Sequence, residues 1–345
     1  MSQNPEAPAS TSAPSAAAPP EVTVLVPARN EEGSLERCLA SVLAQEGVEF
    51  EVVVVDNGST DATPQLLRRL AAADPRLVVV DQPRPSIPAS LNAGLARARG
   101  RYLVRVDAHS TISEGYLRHA VQRLQEGRWV AVGGRKKAVG RSAAGQAVAA
   151  VLNSKLAVGG STYHWGTTEQ VVDHIPFGCY PTALVRELGG WDDGVANNED
   201  FEFDQRLRRH GDILFDPVLA IDWDSRESVG ALYRQYRRYG TGKPGVALRH
   251  PSSLKLRHLA PPALVAYLAA AALLATRRPG LAAAAVAPYA AGVLAVGSRI
   301  SRDAPAGADR GQVPLALAAM QVGWGVGFWR GVWSLLGRRA SRSAA

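Results

Sequence analysis

Four short clusters in this chain carry functional groups that could do chemistry together: Pro27-Ala28-Arg29-Asn30-Glu31-Glu32, Asp56-Asn57-Gly58-Ser59-Thr60-Asp61, Asp107-Ala108-His109 and Asn197-Asn198-Glu199-Asp200. The first three follow directly on apolar runs, Val22 to Val26, Val52 to Val55 and Leu103 to Val106. Four consecutive valines read as a strand buried on both faces, the habit of parallel sheets. The acid, amide, glycine and hydroxyls that follow are turn and N-cap types, so a strand stops there and a helix begins near Pro64. Ligands of open α/β sheets bind outside the carboxyl ends of the strands. Asp56 and Asp107 are therefore expected to converge on one crevice. Asp107 and His109, at i and i+2 on extended chain, project to the same side. A carboxylate and an imidazole there suit a divalent cation with open positions for phosphate oxygens. Each group also has a plain structural use. Asp56 suits a turn cap, His109 a hydrogen-bonded turn, and Glu199 and Asp200 complement the dipole of the helix they begin.

The elements that must position these groups alternate regularly. Strands are expected at Val22 to Val26, Glu51 to Val55, Leu77 to Val80 and Tyr102 to Val106, with a further one at Trp129 to Gly133. Helices are expected at Glu31 to Gln45, with Asn30 as N-cap, and at Pro64 to Ala73, Ser90 to Arg99 and Ser113 to Glu126. Repeated βα units imply a Rossmann-like α/β fold, a mostly parallel sheet with helices on both faces. Residues 159–174 read as a loop rich in Gly, Thr and aromatics, facing substrate. Thr182 to Leu188 and Asp200 to His210 read as helices.

Residues 1–20 are almost wholly Ala, Pro, Ser and Thr, a disordered leader without the pattern of a signal peptide. The two cysteines, Cys38 and Cys179, lie far apart and fit a reducing compartment rather than a disulfide scaffold or zinc site. The net charge of +8 is unevenly spread. From Lys255 onward eleven Lys and Arg face two Asp, so the rest of the chain is close to neutral. The basic residues bracket apolar runs, which points to a membrane surface and away from nucleic acid. No Asp, Glu, Lys or Arg occurs in 259–276, 279–298 or 311–329. These are candidate spans, each close to the roughly 20 residues a membrane crossing needs. A soluble helical subdomain and a re-entrant hairpin are the alternatives. The expected domains are the leader at 1–20, a catalytic domain at 21–250 and a transmembrane or membrane-associated helical region at 251–345.

Taken together, the clusters resemble the inverting nucleotide-sugar glycosyltransferases of family 2, which have the GT-A fold. The resemblance spans roughly residues 21–243. Val24-Leu25-Val26-Pro27-Ala28-Arg29-Asn30-Glu31-Glu32 is similar to the family's opening hIPxxNE pattern. Asp56-Asn57-Gly58-Ser59-Thr60-Asp61 resembles its DDGSTD segment, with Asn57 in place of the second acid. Asp107-Ala108-His109 matches the DxD site except at His109, a departure that resembles the branch containing succinoglycan-type exopolysaccharide transferases. Asn198-Glu199-Asp200 resembles the ED motif. Gln235-Tyr236-Arg237-Arg238-Tyr239 resembles a relaxed QxxRW, with Tyr239 for Trp.

The resemblance implies a role for each motif. Asp200 is the expected catalytic base, with Glu199 as supporting acid. Pro27, Ala28, Arg29, Glu31, Asp56, Ser59 and Asp107 are expected to bind the nucleotide sugar, with Asp56 at the base. Asp107 and His109 are expected to hold Mg2+ or Mn2+. Gly178, Gln235, Arg238 and Tyr239 are expected at the acceptor and diphosphate. Read from the residues themselves, Arg237, Arg238 and Lys243 could add positive charge there, and Arg135 and Lys136, after Gly133-Gly134, suit either diphosphate contact or a solvated face. The implied reaction moves a hexose from a UDP-sugar to a lipid-linked or membrane-held saccharide. The implied location is the inner membrane with the catalytic domain in the cytoplasm. A polyprenyl-phosphate glycosyltransferase is the nearest alternative, and a non-catalytic nucleotide-sugar-binding scaffold is the alternative from another class.

Overall fold

A computed structural model of the chain describes residues 18–195 and 197–343. Of the leader expected at 1–20, residues 1–17 lie outside the described residues. The first half is a run of βα units: β1 (Val22–Ala28), α1 (Leu35–Leu43), β2 (Phe50–Asp56), α2 (Thr63–Ala73), β3 (Leu77–Asp81), α3 (Ile87–Arg97) and β4 (Tyr102–Arg105). All seven residues of β2 are buried, as the valine run requires. Val52 and Val54 join one core with Leu35, Leu39 and Leu117. Val53 and Val55 join a second with Leu91, Trp191 and Phe203 on the opposite face. Alternate residues of a strand point to opposite faces, so an unbroken apolar run is what two cores demand.

Continuing, the chain forms β5 (Ser110–Ile112), α4 (Tyr116–Gln125), β6 (Trp129–Gly133), β7 (Lys136–Val139), α5 (Ala143–Leu152), α6 (Lys155–Val158), β8 (Gln170–Val172), β9 (Cys179–Pro181), α7 (Thr182–Glu187), α8 (Glu199–Leu207), β10 (Asp212–Phe215), β11 (Ile221–Asp224) and α9 (Val229–Arg249). The main sheet has the order β3-β2-β1-β4-β9-β6-β10-β8. Strands β1 to β4 are parallel, β9 runs against both β4 and β6, and β8 runs against β10. A three-stranded sheet, β5-β11-β7, covers the carboxyl end of β4.

Two local expectations differ from what is observed. Asn30 does not cap a helix: it adopts φ 55° and its Oδ1 accepts from the Thr60 amide at 2.8 Å. The helix begins four residues later than expected, because 30–34 form the loop that meets the β2–α2 turn. Residues 159–174 are not wholly loop. They hold a 3-10 turn at Thr162–His164 and the edge strand β8, which pairs with β10.

Three long helices close the chain, α10 (Leu256–Ala275), α11 (Pro279–Arg302) and α12 (Gln312–Ser343). Among the described residues, α10 and α11 are the helices long and apolar enough to cross a membrane, each with mean hydropathy 1.7. Most of their surface faces outward. They hold the windows 259–276 and 279–298. The window 311–329 falls in α12 and behaves differently, because α12 lies along α9. Gly323, Gly327 and Gly331, spaced one turn apart, sit against the carbonyls of Tyr233, Arg237 and Thr241. Gly325 does the same against Pro261 of α10. A Cβ at Gly327 would overlap the Arg237 carbonyl, which is backbone and cannot swing away. Gly327→Leu is expected to cost about 1–3 kcal/mol through overpacking. It should appear as faster proteolysis between α9 and α12 in detergent-solubilised protein, while Gly337→Leu, where a Cβ meets open space, should not.

Candidate active site

The loops after β1 and β2 are bonded into one wall. The Asn30 amide donates to Ser59 Oγ at 3.0 Å, the Glu31 amide to Thr63 Oγ1 at 2.8 Å, and the Ala62 amide to Glu32 Oε2 at 2.9 Å. Burial would raise the Asp61 carboxyl, but the Thr63 hydroxyl and the amides of Thr63 and Glu32 together hold it below the ordinary range. Asp56 closes β2 opposite Ala28, and the Ala28 carbonyl accepts from the Asn57 amide at 2.8 Å. Asp56 Oδ1 accepts the Ser59 amide at 3.1 Å, so this carboxylate also caps its turn. Pro27 and Ala28 belong to β1, and Arg29 is exposed at its tip. Asn57 is buried and receives the Ser86 amide, a use for an amide that an acid in its place would share.

Directly beyond β4, Asp107 and His109 flank the buried Ala108. His109 Nδ1 lies 2.9 Å from Glu31 Oε1, and Glu31 Oε2 bonds the Ser34 hydroxyl. His109 Nε2 is left for a ligand. A histidine held by a carboxylate on one nitrogen with the other free is the usual support for metal ligation. Asp107 Oδ1 accepts from Arg105 Nε at 3.0 Å, which leaves Oδ2. Among the described residues no three His, Cys, Asp or Glu side chains converge to hold a metal ion. Asp107 and His109 would leave further positions of a divalent ion to substrate and water.

One chain of alternating charge links this point to α8, and a second ties α8 to the segment between β8 and β9. The first runs Asp107, Arg105, Glu199. The Arg105 guanidinium, 7% exposed, donates to Glu199 Oε1 at 3.3 and 3.4 Å as well as to Asp107. Burial opposes its charge, but Asp107, Glu199 and Asp200 outweigh burial and hold it protonated. Burial and the neighbouring Asp200 push the Glu199 carboxyl upward, against the pull of Arg105. The second chain runs Asp200, His174, Asp204. His174 Nδ1 is 2.7 Å from Asp204 Oδ2, and its Nε2 is 3.9 Å from Asp200 Oδ2. Burial would raise the Asp200 carboxyl, but His174, Arg105 and the Phe201 amide hold it below the ordinary range. Asp200 thus stays ionised while its neighbour Glu199 is pushed toward protonation. Between the two chains lies Lys136, its Nζ 3.9 Å from the Trp223 ring centre and 4.8 Å from that of Phe177. Burial brings its ammonium down to about 8, offset by Asp107 and Asp200.

Helix α9 supplies Gln235, Arg238, Tyr239 and Lys243. Gln235 is buried and donates to the Tyr239 hydroxyl at 3.0 Å, while its own Oε1 is buried without a partner. The Tyr239 carbonyl receives Asn198 Nδ2 at 3.1 Å, which ties α9 to the start of α8. Burial, then the charge of Asp200, push the Tyr239 hydroxyl well above its usual range. Arg238 does not join this pair. It lines an open cleft of about 290 Å³ with Arg226, Ala231, Arg234 and Arg237. Lys243 donates to the Ser253 carbonyl at 2.9 Å in a buried contact, with its Nζ 3.9 Å from the ring centre of Phe201. Gly178 receives the Arg105 amide on its carbonyl, and a Cβ there would strike the Tyr180 ring.

The residues that sequence reasoning passed over are Arg105, His174 and Asp204. Arg105 left a signal: a lone cation inside the apolar run Leu103 to Val106, two residues before Asp107. His174 and Asp204 left none, being 30 residues apart on elements whose packing no local pattern specifies.

Carboxylates at the ends of β2 and β4, the two strands that flank β1, and an acid-rich helix start fit the GT-A glycosyltransferase fold. The sequence profile of glycosyl transferase family 2 matches residues 23–154. The succinoglycan biosynthesis protein ExoA of Rhizobium meliloti is 31% identical over 316 residues, covering 89% of this chain and 93% of that protein. ExoO of the same organism is 41% identical over 104 residues, 30% of each chain. The mannosyltransferase PcManGT from Pyrobaculum calidifontis, solved in complex with GDP-Man and Mn2+, superposes with TM-score 0.63 at 25% identity over 92% of this chain and 88% of that one. The chain belongs to glycosyl transferase family 2.

Proposed function

We propose that this glycosyltransferase moves a hexose from a nucleoside-diphosphate sugar, a UDP-hexose, to a lipid-linked saccharide at the inner membrane, in synthesis of a cell-surface polysaccharide. The observation that carries the reading is the Asp107–Arg105–Glu199 chain, which joins the phosphate side of the crevice to the helix bearing Asp200. The name of the full-length relative ExoA supports the polysaccharide, and PcManGT with GDP-Man and Mn2+ supports a nucleotide sugar and a cation.

Each residue then has a task. Asp56, with Pro27, Ala28, Arg29, Glu31 and Ser59 in the β1 and β2 loops, receives the nucleotide. Asp200 takes the proton of the acceptor hydroxyl as that oxygen attacks C1 from the face opposite the leaving diphosphate. A single displacement inverts C1, so an α-linked donor gives a β-linkage. Lys136 presents a cation to the departing diphosphate. Gly178, Gln235 and Tyr239 form the acceptor side. Asp107 Oδ2 and His109 Nε2 fit a divalent cation, which when bound would neutralise charge developing on the diphosphate. Two protein donors make that binding depend on the nucleotide. Mn2+ titrated calorimetrically into the protein should bind weakly alone and at least tenfold more tightly with UDP. Equal affinity with and without UDP would remove the shared-ligand assignment.

Helices α10 and α11 support membrane attachment. At 1.5 Å per residue they reach about 30 Å and 36 Å, enough for the hydrocarbon core. As a two-span hairpin they return both ends to the catalytic side. Lys255, Arg257, Arg299, Arg302 and Arg310 then lie on that side, against Arg277 and Arg278 at the tip, the asymmetry of a cytoplasmic face. The cleft of Arg226, Arg234, Arg237 and Arg238 favours an acceptor carrying phosphate, which also keeps open a bare polyprenyl phosphate. Nucleotide release tests the function directly. Purified enzyme with UDP-glucose, UDP-galactose and GDP-mannose, given membrane lipid extract, should release nucleotide from one UDP-hexose and stop in chelator. Turnover on polyprenyl phosphate without a saccharide would favour the alternative, and full turnover in chelator would remove the cation.

A further inference from the structure

His174, between β8 and β9, has no task in the reaction above, yet it touches the base. Asp204, fully buried one helical turn beyond Asp200, holds His174 Nδ1 at 2.7 Å and receives the Ile175 amide at 3.0 Å. The other imidazole nitrogen faces Asp200 Oδ2 at 3.9 Å, and Asp200 Oδ1 is taken by the Phe201 amide at 2.7 Å. One oxygen of Asp200 is bonded to its own helix, and the other faces the imidazole at ion-pair distance. We infer that His174 is a positioning residue for Asp200: pinned by Asp204, it fixes the direction of the Asp200 carboxylate and keeps it ionised until the acceptor hydroxyl delivers its proton.

This rests on the reading of Asp200 as base. In the transfer the proton passes from the acceptor oxygen to Asp200, the new C1–O bond forms, and the electron pair of the broken C1–O bond leaves with the diphosphate. His174 keeps its proton throughout. The groups around its ring are Asp200, Asp204 and Phe201 of α8, Tyr163 edge-on at 5.4 Å, His164 behind Tyr163, and Asp173, which is paired with Lys255. Burial disfavours the imidazolium, but Asp204, Asp200 and Asp173 outweigh it, so His174 titrates above the ordinary histidine range. A raised histidine is charged below its folded-state pKa and loses the charge above it. A depressed Asp200 is ionised above its own pKa. The pair is thus in its working state, His174 charged and Asp200 ionised, between those two limits.

The test is the pH profile of kcat, read by nucleotide release. An opposite charge within about 4–6 Å lowers a carboxylate by about 1–3 units, so His174→Gln should move the acid limb of the profile up by that amount. It should lower kcat while leaving the donor KM unchanged. Asp204→Asn, which keeps a hydrogen-bonding group at that position, should move the alkaline limb down, and it carries the test if His174→Gln fails to fold. Limbs that stay in place in the folded variants, even with reduced turnover, overturn the inference. Asp200→Asn run alongside separates the readings. If that variant is fully active, the base assignment falls and the inference with it. If it is inactive and the limbs are unmoved, the inference alone falls.

Discussion

Asp200→Asn should reduce kcat about 10²–10⁴-fold, the usual contribution of a positioned general base. The donor KM and the nucleotide affinity should hardly change. The asparagine keeps the side-chain shape and can still accept the Phe201 amide, so the fold is preserved. What it loses is the negative charge and basicity needed to take a proton. Glu199→Gln should behave differently. Its carboxyl is pushed upward by burial and by Asp200, and its oxygen serves Arg105, so the loss should appear in stability and donor binding more than in kcat. Steady-state kinetics on both variants checks the division of labour. A larger kcat loss in Glu199→Gln than in Asp200→Asn would reverse the two assignments.

Arg105→Met should destabilise the protein by about 3–5 kcal/mol, the cost of breaking a buried ion pair from one side. Arg105 is the sole side-chain link between Asp107 and Glu199 among the described residues, and both acids lose their counter-charge when it goes. Most of the penalty comes from leaving carboxylates unpaired in a poorly solvated site rather than from losing attraction. Arg105→Met combined with Glu199→Gln should therefore recover part of the loss. Thermal melts of the single and double variants in detergent measure this. An Arg105→Met protein as stable as the parent would contradict the bridge.

Much of the architecture was legible because it obeys periods of two and of one helical turn. The run Val52 to Val55 needs two cores, and two cores were found. Asp56 and Asp107 could be recognised because strand ends in parallel sheets are few and face the same way. Asn30 misled because an asparagine ahead of two glutamates has the composition of an N-cap, while its left-handed backbone and bond to Thr60 belong to a loop–loop contact. The window 311–329 looked like a span because helix–helix packing through glycine and a membrane crossing both exclude charge. Only the spacing of Gly323, Gly327 and Gly331 separates them, and only once α9 is known to lie alongside. The two charge chains were illegible for a simpler reason. Arg105 meets Glu199 across 94 residues and His174 meets Asp204 across 30, and no local pattern records such meetings.

The central claim is a single displacement at C1 with Asp200 as base. It is tested most directly by the anomeric configuration of the product. The enzyme would be incubated with ¹³C-labelled α-linked UDP-hexose and native membrane lipid extract, and the new linkage read by its one-bond and three-bond anomeric couplings in NMR. A β-linkage is the result expected. An α-linkage would require two displacements or a front-face mechanism, and would contradict the account.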